Sequence, residues 1–167
     1  MNNSILFGLG ALPKFSLDTT ARHEFSKLSL KYTKKIYSVN QMNTTKRVHQ
    51  FLLDSIYSKD EIEYRESGYA LYLDNNLNVV GYLEIGKGGQ TGVVMDVKMI
   101  LAGCILSGAN HIILTHNHPS GKLIPSNEDI ELTQMIAASS KLMFIKLLDH
   151  IIITKEGMYS FAESGKL

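Results

Sequence analysis

Apolar positions along the chain switch between helical and strand periods. Val48, Phe51, Leu52 and Ile56 recur at helical spacing behind Asn43-Thr44-Thr45, which predicts a helix over 45–58. A charged loop, Lys59 to Glu66, comes next. Tyr69–Asp74 and Val79–Ile85 read as strands joined through Asn75-Asn76, a pair suited to a tight turn. The Gly-rich stretch Gly86–Gly92 is a loop, and Val93–Met95 a short strand. Val97, Ile100, Leu101, Cys104 and Ile105 return to helical spacing and stop at Ser107-Gly108. Ile112–Thr115 is a short apolar strand. A loop over Asn117–Pro125 leads to a helix from Asn127 to Leu142 with Leu132, Met135, Ile136 and Ser139 on one face. Phe144–Thr154 reads as buried strand, and Tyr159–Phe161 as a short edge. Residues 1–30 show no clean period, with a helix expected only near Thr20–Leu30 and a first strand at Lys31–Val39. These elements make a mixed α/β domain with five or six strands and three helices.

Composition narrows this picture. A chain of 167 residues with 44% hydrophobic and 20% charged residues is one domain with a real core. A single cysteine, Cys104, excludes a disulfide framework and a Cys-rich zinc site, and points to a reducing, cytoplasmic setting. No stretch reaches the roughly 20 apolar residues of a membrane span. The net charge of +1 is unevenly placed: residues 1–50 carry eight Lys/Arg against two acids, and residues 51–167 nine against fourteen. The basic N-terminal third is either a solvated face or a contact for nucleic acid. We divide the chain into an N-terminal arm, 1–43, and a domain, 44–167.

The chemistry concentrates in His116-Asn117-His118-Pro119-Ser120-Gly121 and Pro125-Ser126-Asn127-Glu128-Asp129. Side chains two apart on a strand point the same way, so His116 and His118 offer two imidazoles to one point. Asp129, in the first turn of the next helix, adds a carboxylate. Two His and one Asp suit a zinc ion, one per chain, and leave a fourth position for water whose pKa falls to about 7. The competing explanation is structural: Ser126-x-x-Asp129 is also a helix capping box, which by itself requires no metal. The two patterns at this fixed offset favour the metal.

These residues resemble the JAMM (MPN+) metalloprotease motif. With Pro119-Ser120-Gly121, Pro125, Leu148-Asp149-His150 and Tyr159-Ser160-Phe161-Ala162-Glu163, the chain over roughly 45–165 is similar to the RadC family within that group. The resemblance implies a deaminase-like JAMM/MPN domain, a curved mixed sheet flanked by helices. It implies zinc held by His116, His118 and Asp129, with the Ser126 hydroxyl supporting a tetrahedral intermediate and an upstream glutamate activating water. Glu84, in Glu84-Ile85-Gly86-Lys87-Gly88, is the best match for that glutamate; Glu63, Glu66 and Asp96 are fallbacks. The loop over Lys87–Gly92 and the stretch Met95–Lys98 depart from the usual RadC sequence. The helix-hairpin-helix of longer RadC members is not found in residues 1–43.

The remaining candidates carry less. His150, inside an apolar run, reads as a core histidine or one that holds a ligand by hydrogen bond, with Asp149 on the opposite strand face capping a helix or loop. Cys104 reads as core. Gly86–Gly92 lacks the Gly-Lys-Ser/Thr ending of a phosphate loop, and a single cysteine excludes the zinc deaminase ligand set. The expected function is a zinc-dependent hydrolase, a peptidase or isopeptidase acting on a peptide or protein substrate. The alternative is a DNA-associated accessory protein of repair or a mobile element, without hydrolytic activity.

Overall fold

The computed structural model describes residues 41–58, 60–89 and 95–167. Most of the basic arm, the expected helix near Thr20–Leu30, the strand Lys31–Val39 and all but Met95 of the short strand Val93–Met95 lie outside the described residues. Met42 already belongs to the domain: it is buried, and its N–H donates to Leu77 O at 2.8 Å.

Helix α1 spans Thr45–Phe51, with the Thr44 hydroxyl accepting from Arg47 N, and widens into one π-helical turn over Leu52–Ile56. Strands β1 (Ser67–Leu73) and β2 (Val79–Lys87) form the expected hairpin. Helix α2 (Val97–Ser107) starts on the Asp96 carboxylate and ends on Gly108 at φ 67°, a left-handed cap that glycine adopts without steric cost. Strand β3 (His111–Asn117), helix α3 (Asn127–Leu142), strand β4 (Lys146–Ile153) and strand β5 (Met158–Ser160) complete the domain.

The sheet order is β2-β1-β3-β4-β5. Only β3 and β4 run parallel, joined by the crossover through α3; the other pairs are antiparallel. The sheet separates two apolar layers. On one face Val48 and Leu52 pack with Tyr69, Leu71, Leu73, Ile113, Ile151 and Ile153. On the other, Ile100, Cys104 and Ile136 of α2 and α3 pack with Ala70, Tyr72, Ile112, Leu114 and Leu147. The mixed α/β fold expected from the sequence is therefore present, with five strands in one sheet among the described residues. Among the described residues no helix is long and apolar enough to cross a membrane.

Two expectations need correction. The buried stripe of α3 is Asp129, Thr133, Ile136 and Ser140, while Met135 is exposed. An apolar count favours methionine over threonine, but hydrogen bonds on the inner face reverse that order. Strand β4 begins at Lys146, because Phe144 sits at φ 57° with its ring almost fully in solvent, a backbone state incompatible with a strand.

Candidate metal centre

The alternation of β3 sets the site. Ile112 and Leu114 face α2 and α3 in the second layer, so His116, next in the same parity, points under the N-terminus of α3 at the strand's end. The intervening Ile113 joins the opposite layer, and Asn117 shares its parity. His116 is fully buried, and His118, just past the strand, is partly exposed. Their Nε2 atoms lie 3.0 Å apart. Asp129 closes the third side, with Oδ1 3.1 Å from His116 Nε2 and Oδ2 3.6 Å from His118 Nε2. The structure thus brings together the three residues singled out as ligands.

The capping box is also present. Ser126 Oγ accepts from Asp129 N at 3.1 Å, and Asp129 Oδ2 accepts from Ser126 N at 2.7 Å. Cap and site share the carboxylate: Oδ2 serves the helix end and also lies near His118, while Oδ1 faces His116 alone. Ser126 is exposed at the rim, and its own hydroxyl hydrogen is directed to Asp129 Oδ2 at 2.7 Å. Burial pushes the Asp129 carboxyl up, but the bonds from His116, His118 and Ser126 outweigh it and hold the group well below the usual carboxylate range.

The hydrogen bonds around the rings define which nitrogens are bare. His118 Nδ1 faces Lys122 O at 2.8 Å; a carbonyl only accepts, so this nitrogen carries the hydrogen. Thr133 Oγ1 donates to Asp129 O, one helical turn back, and lies 2.6 Å from His150 Nδ1. With its hydrogen so committed, the hydroxyl accepts from His150 Nδ1. His150 Nε2 then accepts from His116 Nδ1, 2.8 Å away. Burial first, and the neighbouring His116 second, hold His150 well below 6.5, consistent with a neutral ring. In their neutral forms both rings turn an Nε2 lone pair toward the other, and the Asp129 carboxylate beside His118 raises that ring's pKa, favouring a positive charge at this point. Such a pair needs a positive centre, and two imidazoles with a carboxylate are a donor set that fits a divalent metal ion.

The glutamate expected from the sequence is elsewhere. Glu84 is paired with Tyr69 in the β1–β2 ladder and accepts from Tyr69 Oη at 3.2 Å, on the sheet face that packs with α1. Its neighbours Leu83 and Ile85 face the α2 layer, so strand parity turns Glu84 away from His116. Of the fallbacks, Glu63 pairs with Lys155 at 3.1 Å and Asp96 caps α2. Glu66 is the acid at the site. Among the described residues, Glu66, His116 and His118 each offer one ligand atom, all within 4.8 Å of one another. Glu66 is half-buried immediately before β1. Burial raises its pKa, Asp129 adds to the rise, and His116 and His118 oppose it. Gly68, the β1 partner of His116, shares strand parity with Glu66 and brings that residue to the histidine end of the sheet, through a pairing that only the structure supplies.

His150 holds His116 by a hydrogen bond, and Asp149 faces the C-terminal turn, where it accepts from Ser160 Oγ at 2.6 Å and Ala162 N at 3.0 Å. Sequence reasoning missed Thr133 and Asn117. Thr133 stands four residues after Asp129, on the same helix face. Asn117 lies between the two histidines, where the period of two turns it to the other side of the sheet.

A three-layer domain with a His-x-His strand end and a carboxylate at the next helix N-terminus defines a JAB/MPN-type domain. Residues 42–166 match the family described as the RadC-like JAB domain, and the chain belongs to that family. Among curated relatives, a UPF0758 protein of Finegoldia magna is 36% identical over 140 residues, 80% of this chain and 60% of that one. A UPF0758 protein of Flavobacterium johnsoniae is 38% identical over 100 residues, 60% of this chain and 44% of its own length. A third, from Thermotoga maritima, is 28% identical over 127 residues, covering 76% and 55%. The chain thus spans about half the length of these relatives.

Proposed function

We propose that this domain is a zinc-dependent hydrolase of amide bonds, a peptidase or isopeptidase. The observation that carries the reading is the convergence of two imidazole nitrogens, 3.0 Å apart, with the Asp129 carboxylate and the half-buried Glu66 beside them. His116, His118 and Asp129 Oδ1 would hold the ion. When bound, zinc supplies a Lewis acid for a carbonyl and a water acidified to about 7.

The chain's own groups carry the proton traffic. Glu66 takes the role first sought at Glu84: its carboxylate accepts a proton from the attacking water. Oxygen adds to the carbonyl carbon, the C–N bond breaks, and Glu66 returns the proton to the leaving nitrogen, giving a carboxylic acid and an amine. A carboxyl whose pKa is raised by burial holds a proton more readily than a free one, which suits both taking and returning it. Ser126 has first the task of holding Asp129 Oδ2; to donate to a developing oxyanion, its hydroxyl must rotate out of that bond.

Three variants test the reading. His116→Ala is expected to lose the zinc that the wild-type chain carries, read by metal analysis of the purified protein. Glu66→Gln is expected to keep zinc and lose about 10²–10⁴-fold in peptide hydrolysis, with Glu84→Gln near wild type. Loss of zinc in Glu66→Gln would make Glu66 a ligand instead, and loss of hydrolysis in Glu84→Gln alone would restore Glu84 as the base.

A further inference from the structure

Asn117 occupies the middle of the His-x-His run, yet its side chain serves the opposite side of the strand. It is fully buried and uses every hydrogen it has. Nδ2 donates to Ile62 O at 2.7 Å and to Arg65 O at 2.8 Å, while Oδ1 accepts from Ser67 N at 2.8 Å. No other residue type of this size supplies two donors and one acceptor in a plane. Aspartate would set an oxygen against two carbonyls, and serine has a single hydrogen.

The groups it holds are those that carry Glu66. Ser67 N belongs to the peptide that follows Glu66, and the carbonyl of that same peptide accepts from Gly88 N at 2.9 Å. Glu66 N donates to Gly89 O at 3.0 Å. The Ser67 carbonyl accepts from Tyr57 Oη at 3.3 Å, and that hydroxyl also contacts Thr115 Oγ1 at 3.2 Å. The turn ending at Glu66 is thus tied to β3 by the residue that separates the two histidines.

We infer that Asn117 is a positioning residue that sets Glu66 against His116 and His118, fixing the carboxylate relative to the metal. This rests on Glu66 acting as the base in the proposed reaction. One strand thereby carries both halves of the centre: His116 points to one side, and Asn117 places the acid from the other. Positioning of this kind matters because a displacement of about 1 Å is enough to cost 10²-fold in rate.

The test is a double-mutant cycle on the full chain loaded with cobalt, whose visible absorption reports the metal's surroundings. Glu66→Gln, Asn117→Ser and the double variant are compared with wild type, and Tyr57→Phe serves as a milder release of Ser67 through the next peptide unit, Ser67–Gly68. Glu66→Gln is expected to move the pH midpoint of the cobalt band by about one unit, the size of a nearby-charge effect. Asn117→Ser should bind one metal per chain and reproduce at least half of that shift, and the double variant should match Glu66→Gln alone. If Asn117→Ser does not fold, Tyr57→Phe is expected to move the midpoint in the same direction by a smaller amount. A wild-type midpoint in every variant that folds, beside a shifted Glu66→Gln, overturns the role of Asn117. Additive shifts in the double variant overturn it as well. A Glu66→Gln protein with an unmoved midpoint defeats the placement of Glu66 itself.

Discussion

Most of the chemistry at the centre is decided by where single hydrogens sit. His116 has no solvent around it to choose its tautomer, so the choice passes through His150 and Thr133 to the backbone of α3. Thr133→Val keeps the volume and removes the hydroxyl at the end of that relay. It is expected to weaken zinc binding by about 10–100-fold, the usual effect of losing a partner behind a metal ligand. Chelator competition measures this, and wild-type affinity would show that His150 alone fixes the ring. The titration of Glu66 follows from its burial. In the metal-free chain its pKa lies above the ordinary 4.5 because burial disfavours the carboxylate, so the carboxylate is lost as pH falls through a midpoint higher than 4.5, and a bound dication would oppose that rise. Carboxyl-carbon NMR of the metal-free chain, assigned with Glu66→Gln, reads that midpoint; a value at or below 4.5 overturns the burial effect.

Elements are held at close tolerance in one place. Helix α2 lies against β1 through Gly103, where a Cβ would come within 2.1 Å of Tyr72 Oη and 2.5 Å of its Cζ. The Tyr72 ring is buried in the α2 layer, so it yields less readily than the far end of a flexible side chain. Gly103→Ala is expected to destabilise the fold by about 1–3 kcal/mol through overpacking, read as a lowered denaturant midpoint with an unchanged slope. At this scale the sequence was readable where caps and period agreed. Asn43-Thr44-Thr45, Ser107-Gly108 and Ser126-x-x-Asp129 marked helix ends that the structure contains. It was less readable at Phe144 and on the inner face of α3. There, a left-handed backbone and buried hydroxyls follow from neighbours rather than from local hydropathy.

At the scale of the molecule, the basic N-terminal third remains the feature that would bring a nucleic acid to this chain, with eight Lys/Arg against two acids in residues 1–50. Because Met42 packs in the core, a truncation should stop before it and remove residues 1–40. If those charges contact phosphates, the truncated chain will bind duplex DNA more weakly and with a shallower dependence on the logarithm of salt concentration. An unaltered slope in a filter-binding or anisotropy titration removes that role.

The sequence by itself determined the fold class, the run of helices and strands from residue 45 onward, and the convergence of His116, His118 and Asp129. Each follows from spacing along one or two adjacent elements, where a strand's period of two and a helix's first turn leave little freedom. Only the tertiary structure decided which acid joins them. Glu84 and Glu66 lie on different strands at the same open end of a hairpin, and their sides of the sheet depend on register and on an irregularity beside Gly68. A one-residue difference in parity reverses the face, and no local pattern encodes it. The roles of Asn117 and Thr133 were decided in the same way, because a hydrogen bond to a distant backbone appears in a sequence only as a polar residue in a buried place.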